Sequence, residues 1–296
     1  MPSLIIPKGN AGMGGSSNHN NLLWRIISGV LFVPALVVIA REGGFFFLLL
    51  IELGIGIGTF EFYEILAAKG LHPYRCLGIL AALVLGWTAY YASYLYTFLT
   101  LTTLIFILSV SELVRRQPKD SIYHIASTVF GTFYIGWLMS HLILLRELPK
   151  HLGLDYGVGV TFALLPFIIA WGNDTMAFLI GRKFGRHPLL QRVSPNKTWE
   201  GTIGGILFAT LFTVIYRYLY ATYLRLIDAI LMGLIGACMA LIGDLVESLI
   251  KRDASLKESY STIPGHGGVL DRFDSIFFCA PFVYYYLRLL FEVILK

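Results

Sequence analysis

A succession of apolar runs, most of them of bilayer-spanning length, restricts this chain more than any other feature. A hydrocarbon core of about 30 Å takes roughly 20 helical residues to cross, and a helix is the simplest element that satisfies its own backbone there. Such stretches are read at 24–40, 44–66, 77–92, 95–113, 121–145, 157–180, 201–221, 227–250 and 275–295. As a single helix, 77–113 would extend about 55 Å at 1.5 Å per residue, far beyond one crossing, so two helices are expected. Charged residues make up only 14% of the 296 and hydrophobic ones 56%, whereas about a quarter of a soluble chain is charged. The expected fold is all-α, a polytopic integral membrane bundle of about nine transmembrane helices.

The placement of Lys and Arg predicts the orientation. With a cytoplasmic N-terminus, the connections Lys69–Arg75, Arg115–Lys119, Arg182–Lys197 and Lys251–Arg272 fall inside, and with Lys8 and Arg25 they hold 16 of the 23 basic residues. The positive-inside rule favours that arrangement and puts the C-terminus outside. The net charge of +5 is thus a matter of topology, and nucleic acid is not expected as a partner. Met1–Asn21 is polar and has neither the apolar core nor the cleavage site of a signal peptide. It reads as a disordered tail, native or appended. Residues 22–156 then form a scaffold that can also carry dimer contacts, and 157–296 a catalytic region with two cytoplasmic loops. Cys76, Cys238 and Cys279 are scattered and suggest neither disulfide nor zinc. Glu52, Glu61, Glu64 and Glu112 are expected to pair between helices or sit at helix ends. His72, His124 and His141 lack metal spacing.

Against this apolar background, Gly243–Ser275 packs together Asp244, Glu247, Lys251, Arg252, Lys257, Glu258, His266, Asp271, Arg272 and Asp274. Charges at bilayer depth each cost roughly 2.5 to 3.5 kcal/mol on insertion scales, so they persist together only when paired, metal-bound or facing water. On a helix, Asp244, Ser248 and Lys251 share one face, with Glu247 beside them. Asp271 and Asp274 form a second carboxylate pair if the last helix begins near Leu270. Carboxylates from two segments suit Mg²⁺, which takes one or two protein carboxylates together with substrate phosphate oxygens. Between them, Pro264-Gly265-His266-Gly267-Gly268 cannot continue a helix and leaves backbone N–H groups free to face an anion. His266 can then donate to a phosphate oxygen or assist a leaving group; the alternative is a turn histidine held by backbone.

A second constellation comprises Asn173-Asp174 within a predicted span, Gly181-Arg182, and Ser194-Pro195-Asn196-Lys197-Thr198-Trp199-Glu200-Gly201. Asn173 and Asp174 are expected to face the same polar cavity. Lys197 and Thr198 open the next helix, whose N-terminus suits a phosphate. Arg182, Lys183, Arg186 and Arg192 can equally be topology determinants alone.

The run Ser248-Leu249-Ile250-Lys251-Arg252, then Lys257, then Pro264-Gly265-His266-Gly267-Gly268-Val269-Leu270-Asp271-Arg272-Phe273-Asp274 resembles the signature of phosphatidate cytidylyltransferases, also called CDP-diacylglycerol synthases. The Asn173–Gly201 constellation resembles that family's second conserved region. The likeness is close over 170–295, whereas the first half matches only as hydrophobic spans. One departure is Glu258, where the family usually has Asp after the signature lysine. The resemblance implies CTP and phosphatidate as substrates, CDP-diacylglycerol and pyrophosphate as products, dependence on Mg²⁺ with a second cation left open, and a homodimer in the lipid membrane. Carried onto this chain, it makes Asp244 and Asp271 the metal ligands. Lys251, Arg252, His266, Asp271, Arg272 and Asp274 become the catalytic set. Ser194, Lys197 and Thr198 are expected to hold the triphosphate or the lipid headgroup, and Asn173, Asp174, Arg182, Glu200, Ser248, Lys257, Gly267 and Gly268 complete the substrate site. An anion transporter would also gather charges in a cavity, but it would typically show an internal repeat, and none is visible. A CDP-alcohol phosphotransferase would need a DGxxAR stretch, which is missing, and a lipid kinase would accept ATP.

Overall fold

The computed structural model describes residues 32–116, 119–256 and 268–294. Nine helices are seen among them: α1, described over 32–42; α2, Gly44–Ala68; α3, Arg75–Tyr90; α4, Tyr94–Val114; α5, Ser121–Leu152; α6, Val158–Phe184; α7, Trp199–Leu219; α8, Leu226–Asp253; and α9, Leu270–Ile294. Seven of these, α2 and α4 to α9, are long and apolar enough to cross a membrane, so the chain is an integral membrane protein. At 16 residues, α3 is about 24 Å long and falls short of the hydrocarbon core. The described residues therefore carry seven helices of spanning length where the sequence leads one to expect about nine.

Two boundaries move for physical reasons. The helix expected to end at 145 continues to Leu152, because Arg146 and Glu147 are buried and find partners inside the protein. The last helix starts at Leu270 rather than 275; its first turn carries Asp271, Arg272 and Asp274, which line a cavity and so escape an apolar criterion. The fold is all-α as expected, with one local exception among the described residues. A short antiparallel hairpin, β1 (Pro188–Leu190) and β2 (Ser194–Thr198), joins α6 to α7 and pairs Pro188 with Thr198 and Leu190 with Ser194. Strands this short, with a proline in each, carry no alternation for a sequence reading to detect.

One hydrophobic cluster runs through the bundle from Leu36 on α1 to Phe291 on α9. By contrast, α4 lies at the edge, with Leu95, Phe98 and Phe106 turned outward. At the α1–α2 corner the chain reverses at Gly43, whose φ of +64° suits glycine, and a Cβ there would come within 2.3 Å of the Arg146 guanidinium. That guanidinium is 1% exposed. It donates to Ala40 O at 2.7 Å, Arg41 O at 3.3 Å and Tyr156 O at 3.2 Å, satisfying carbonyls that the end of α1 leaves without helical partners. At the opposite end of the bundle, Lys69 of α2 is ion-paired with Asp253 of α8. The Arg252 Nε also reaches Val193 O of the hairpin at 3.4 Å. The hairpin, the α2 terminus and the C-terminal end of α8 thus share one end of the molecule.

Candidate active site

Deeper in the bundle, α6, α8 and the start of α9 meet α1 and α2 around a cavity of about 750 Å³. Its polar wall is Asp174 and Thr175 from α6, Asp244 from α8, and Asp271, Arg272 and Asp274 from α9; its apolar wall is built chiefly from α1 and α2, including Phe32, Leu36, Leu50 and Ile57. Val33 and Leu53, also lining residues, are 44% and 62% exposed, so this wall reaches the outer surface of the described bundle.

The helical face expected on α8 forms. Ser248 Oγ donates to Asp244 Oδ1 at 3.3 Å, and Lys251 Nζ lies 2.6 Å from Glu247 Oε2 one turn earlier. Lys251 also bridges to α9, donating to Asp271 Oδ1 at 2.8 Å. Lys197, on β2 rather than within the helix, reaches across to an ion pair with Asp244. Asp174 accepts from Ser275 Oγ at 2.7 Å and from Asn173 Nδ2 at 3.2 Å. Asp174, Asp244 and Asp274 are within electrostatic reach of one another, with Lys197 and Lys251 as the nearby cations. The two constellations of the sequence are therefore one site, joined by lysines from the hairpin and from α8.

Close backbone approach holds α8 against α9. A Cβ on Gly243 would sit 2.5 Å from the Asp274 carbonyl oxygen and 3.4 Å from Phe278. Gly243→Ala is expected to cost about 1 to 3 kcal/mol through overpacking and to displace Asp274. A lowered thermal midpoint in micelles together with reduced turnover would show it, and an unchanged protein would refute the contact. The first turn of α9 is held from outside by Glu61 of α2, which is fully buried and accepts from Val269 N at 3.1 Å and Leu270 N at 2.8 Å. This carboxylate meets the orphan N–H groups of the helix that presents Asp271 and Asp274. The end-of-helix role expected for Glu61 is thus fulfilled on another helix.

Other expected residues are placed as follows. Thr198 is the N-cap of α7 and its Oγ1 accepts from Gly201 N at 3.2 Å. Glu200 accepts from the backbone N–H groups of Arg186 and His187 and lies 2.6 Å from His187 Nδ1, so it braces the hairpin. Ser194 lies half-buried on β2, while Arg182 and Arg252 are exposed. Gly268 is buried just before α9. Lys257, His266 and Gly267 lie outside the described residues. Ser275 was not anticipated; its only sequence signal is adjacency to Asp274. Among the described residues no group of three or more His, Cys, Asp or Glu is arranged to hold a metal ion by itself.

With this geometry in view, likeness to known proteins becomes informative. The cytidylyltransferase family model matches residues 23–290. The chain is 34% identical over 292 residues to a phosphatidate cytidylyltransferase of Synechocystis sp., an alignment covering 91% of this chain and 98% of the relative. A Bacillus subtilis phosphatidate cytidylyltransferase is 30% identical over 90% of this chain and 97% of its own length. A chloroplastic phosphatidate cytidylyltransferase of Arabidopsis thaliana is 32% identical over 89% and 73% respectively.

Proposed function

Because the chain belongs to the cytidylyltransferase family, we propose that its cavity passes the cytidylyl group of CTP to phosphatidate, yielding CDP-diacylglycerol and pyrophosphate. The protein is a membrane nucleotidyltransferase of phospholipid synthesis. One observation carries the reading: a single cavity has four carboxylates and Arg272 on one wall, with Lys197 and Lys251 paired to two of those carboxylates, and partly exposed apolar side chains on the other. Such a space suits a substrate with a phosphate head and two hydrocarbon tails.

In this reading a phosphate oxygen of phosphatidate attacks the α-phosphorus of CTP, a new P–O bond forms, and the α–β anhydride bond breaks to release pyrophosphate. No protein nucleophile is needed, because phosphoryl-type transfer is mostly positioning and charge stabilisation. Lys251 and Arg272 face the transferring phosphate. Lys197, carried in on the hairpin, meets the triphosphate or the lipid head beside Ser194, while Thr198 shapes the helix end behind it. Arg182 and Arg252 lie at the rim, where the polyphosphate enters. Asp174 and Asn173 orient one another at the cavity floor, and Ser248 orients Asp244. His266, Lys257 and Gly267 are assigned to the same site from the sequence signature alone, with Gly268 next to them.

The acidic wall fits Mg²⁺. Asp174, Asp244 and Asp274 repel one another at short range, and a hard divalent cation needs only one or two such carboxylates once substrate phosphates contribute. Asp244 and Asp271 would hold it, with Asp274 next in line for a second cation. When bound, the ion supplies Lewis acidity and neutralises phosphate charge. The loops sit on the cytoplasmic side, where CTP is available, with the N-terminus; the excess of basic residues in those loops supports this, and an odd number of crossings then leaves the C-terminus outside. The working unit is taken as a homodimer, as the family resemblance implies.

A nucleotide panel tests the assignment. Membranes or micelles supplied with phosphatidate and Mg²⁺ should incorporate label from CTP into lipid, with little from ATP, GTP or UTP. Equal use of ATP, or anion uptake into sealed vesicles without nucleotide turnover, would overturn it.

A further inference from the structure

Within α5 the residues Thr132–Trp137 form a π-helical turn, a wider coil that often marks functional positions inside α-helices. It presents Tyr134, which is 4% exposed. The ring is held by Phe130, stacked at 5.4 Å, by Phe62 of α2 at 5.4 Å, and by Phe277 and Phe278 of α9 at 5.5 and 6.3 Å. Packing fixes the ring but leaves its hydroxyl unexplained, since the Tyr134 OH is buried and has no hydrogen-bond partner. A buried phenol ordinarily finds one.

Helix α8, beyond the aromatic side chains of α9 that pack on Tyr134, carries a matching vacancy. Glu247, 1% exposed, has its Oε2 2.6 Å from Lys251 Nζ, yet neither of its buried oxygens is satisfied by a well-formed hydrogen bond. Asp271 and Asp274 are the other charged groups beside it. Glu247 lies one turn beyond Gly243, which abuts Phe278, and Phe278 packs on Tyr134. Of the charged groups within electrostatic reach of the Tyr134 hydroxyl, Glu247 is foremost, with Asp274 and Asp244 behind it.

We propose that Tyr134 is a positioning residue of the active site, its hydroxyl joined to the Glu247 carboxylate by a hydrogen bond relayed through one water, so that Glu247 holds Lys251 in register with Asp271. A water with two or more polar partners is stable in such a place, and the relay extends the lysine network onto α5. The π-turn is then the device that brings a phenol from a scaffold helix to the catalytic wall. This role rests on the cytidylyltransferase reading only for its effect on turnover.

The test is a double-substitution cycle with Tyr134→Phe and Glu247→Gln, read in two ways. Phenylalanine keeps the ring contacts, so the Tyr134→Phe protein should remain folded in micelles. In the cycle read on thermal unfolding, the double variant should be no less stable than Glu247→Gln alone. With CTP and phosphatidate, Tyr134→Phe should lower kcat by about tenfold, as loss of a group supporting a catalytic ligand does, with KM for CTP little changed. The double variant should fall no further than Glu247→Gln. Independent, additive effects in the unfolding cycle, or wild-type kcat in Tyr134→Phe, would overturn the proposal. Coupling in unfolding while the unsubstituted protein fails to turn over CTP would retain the pair and reject the assigned reaction instead.

Discussion

Asp244→Asn should reduce transfer of CMP from CTP to lipid by about a hundredfold or more, the scale seen when one group stabilising transition-state charge is removed. The substitution is nearly isosteric, so the protein should fold. Three things are lost at once: an anionic ligand for the proposed divalent cation, the partner that holds Lys197 across from the hairpin, and the charged acceptor for Ser248. Asp271→Asn should cost a similar amount, because Asp271 holds Lys251 from the other side at 2.8 Å. Ser248→Ala, which removes only an orienting hydroxyl, should cost much less. The readout is label from CTP in extracted lipid, with the concentration of Mg²⁺ varied. Full activity in both Asp→Asn variants would remove the proposed cation site.

The second large effect lies far from the chemistry. Arg146→Met should destabilise the fold by about 3 to 5 kcal/mol, as expected when one member of a buried charged network is removed. Its guanidinium spans α1, α5 and the α5–α6 connection through Ala40 O, Arg41 O and Tyr156 O, and stacks 4.0 Å from the Tyr156 ring centre. Tyr156 in turn donates to Glu147 Oε1 at 2.5 Å and accepts from Gly44 N at 2.8 Å. Burial, aided by the bond to Glu147, pushes the Tyr156 phenol up to about 12, so it stays a donor at neutral pH. Arg146→Lys should recover only part of the loss, since an ammonium lacks the planar fork that reaches carbonyls in several directions. Thermal midpoints and folded yield in micelles measure this, and a methionine variant as stable as the parent would refute the clamp. The effect bears on function because α1 and α2 supply the apolar wall of the cavity.

Much of this architecture is legible from hydropathy, because a lipid solvent enforces helices wherever about 20 apolar residues run together. The same criterion misjudges segments whose polar residues are satisfied internally. Arg146 and Glu147 extend α5 beyond its apolar run, and Asp271, Arg272 and Asp274 open α9 five residues early, because each faces protein or cavity rather than lipid. The face of α8 bearing Asp244, Glu247, Ser248 and Lys251 was also readable, since 3.6-residue periodicity alone aligns it. Glu200 shows the opposite case: its charge drew a substrate role, yet its oxygens are engaged by Arg186 and His187.

From its own residues the chain specified a helical membrane bundle, the two polar segments that carry the chemistry, and a signature matching one enzyme family. Hydropathy and short-range periodicity suffice for the bundle and its polar segments, since both are properties of local sequence, while the family rests on the resemblance of the Ser248–Asp274 motif. Only the assembled bundle decided that Lys197 would face Asp244, that Glu61 would cap a helix some 200 residues away, and that Tyr134 would be enclosed by aromatic rings of α2 and α9. Those pairings depend on which helix packs against which, and on a glycine, a π-turn and a buried arginine setting the distances. No local pattern encodes such long-range contacts.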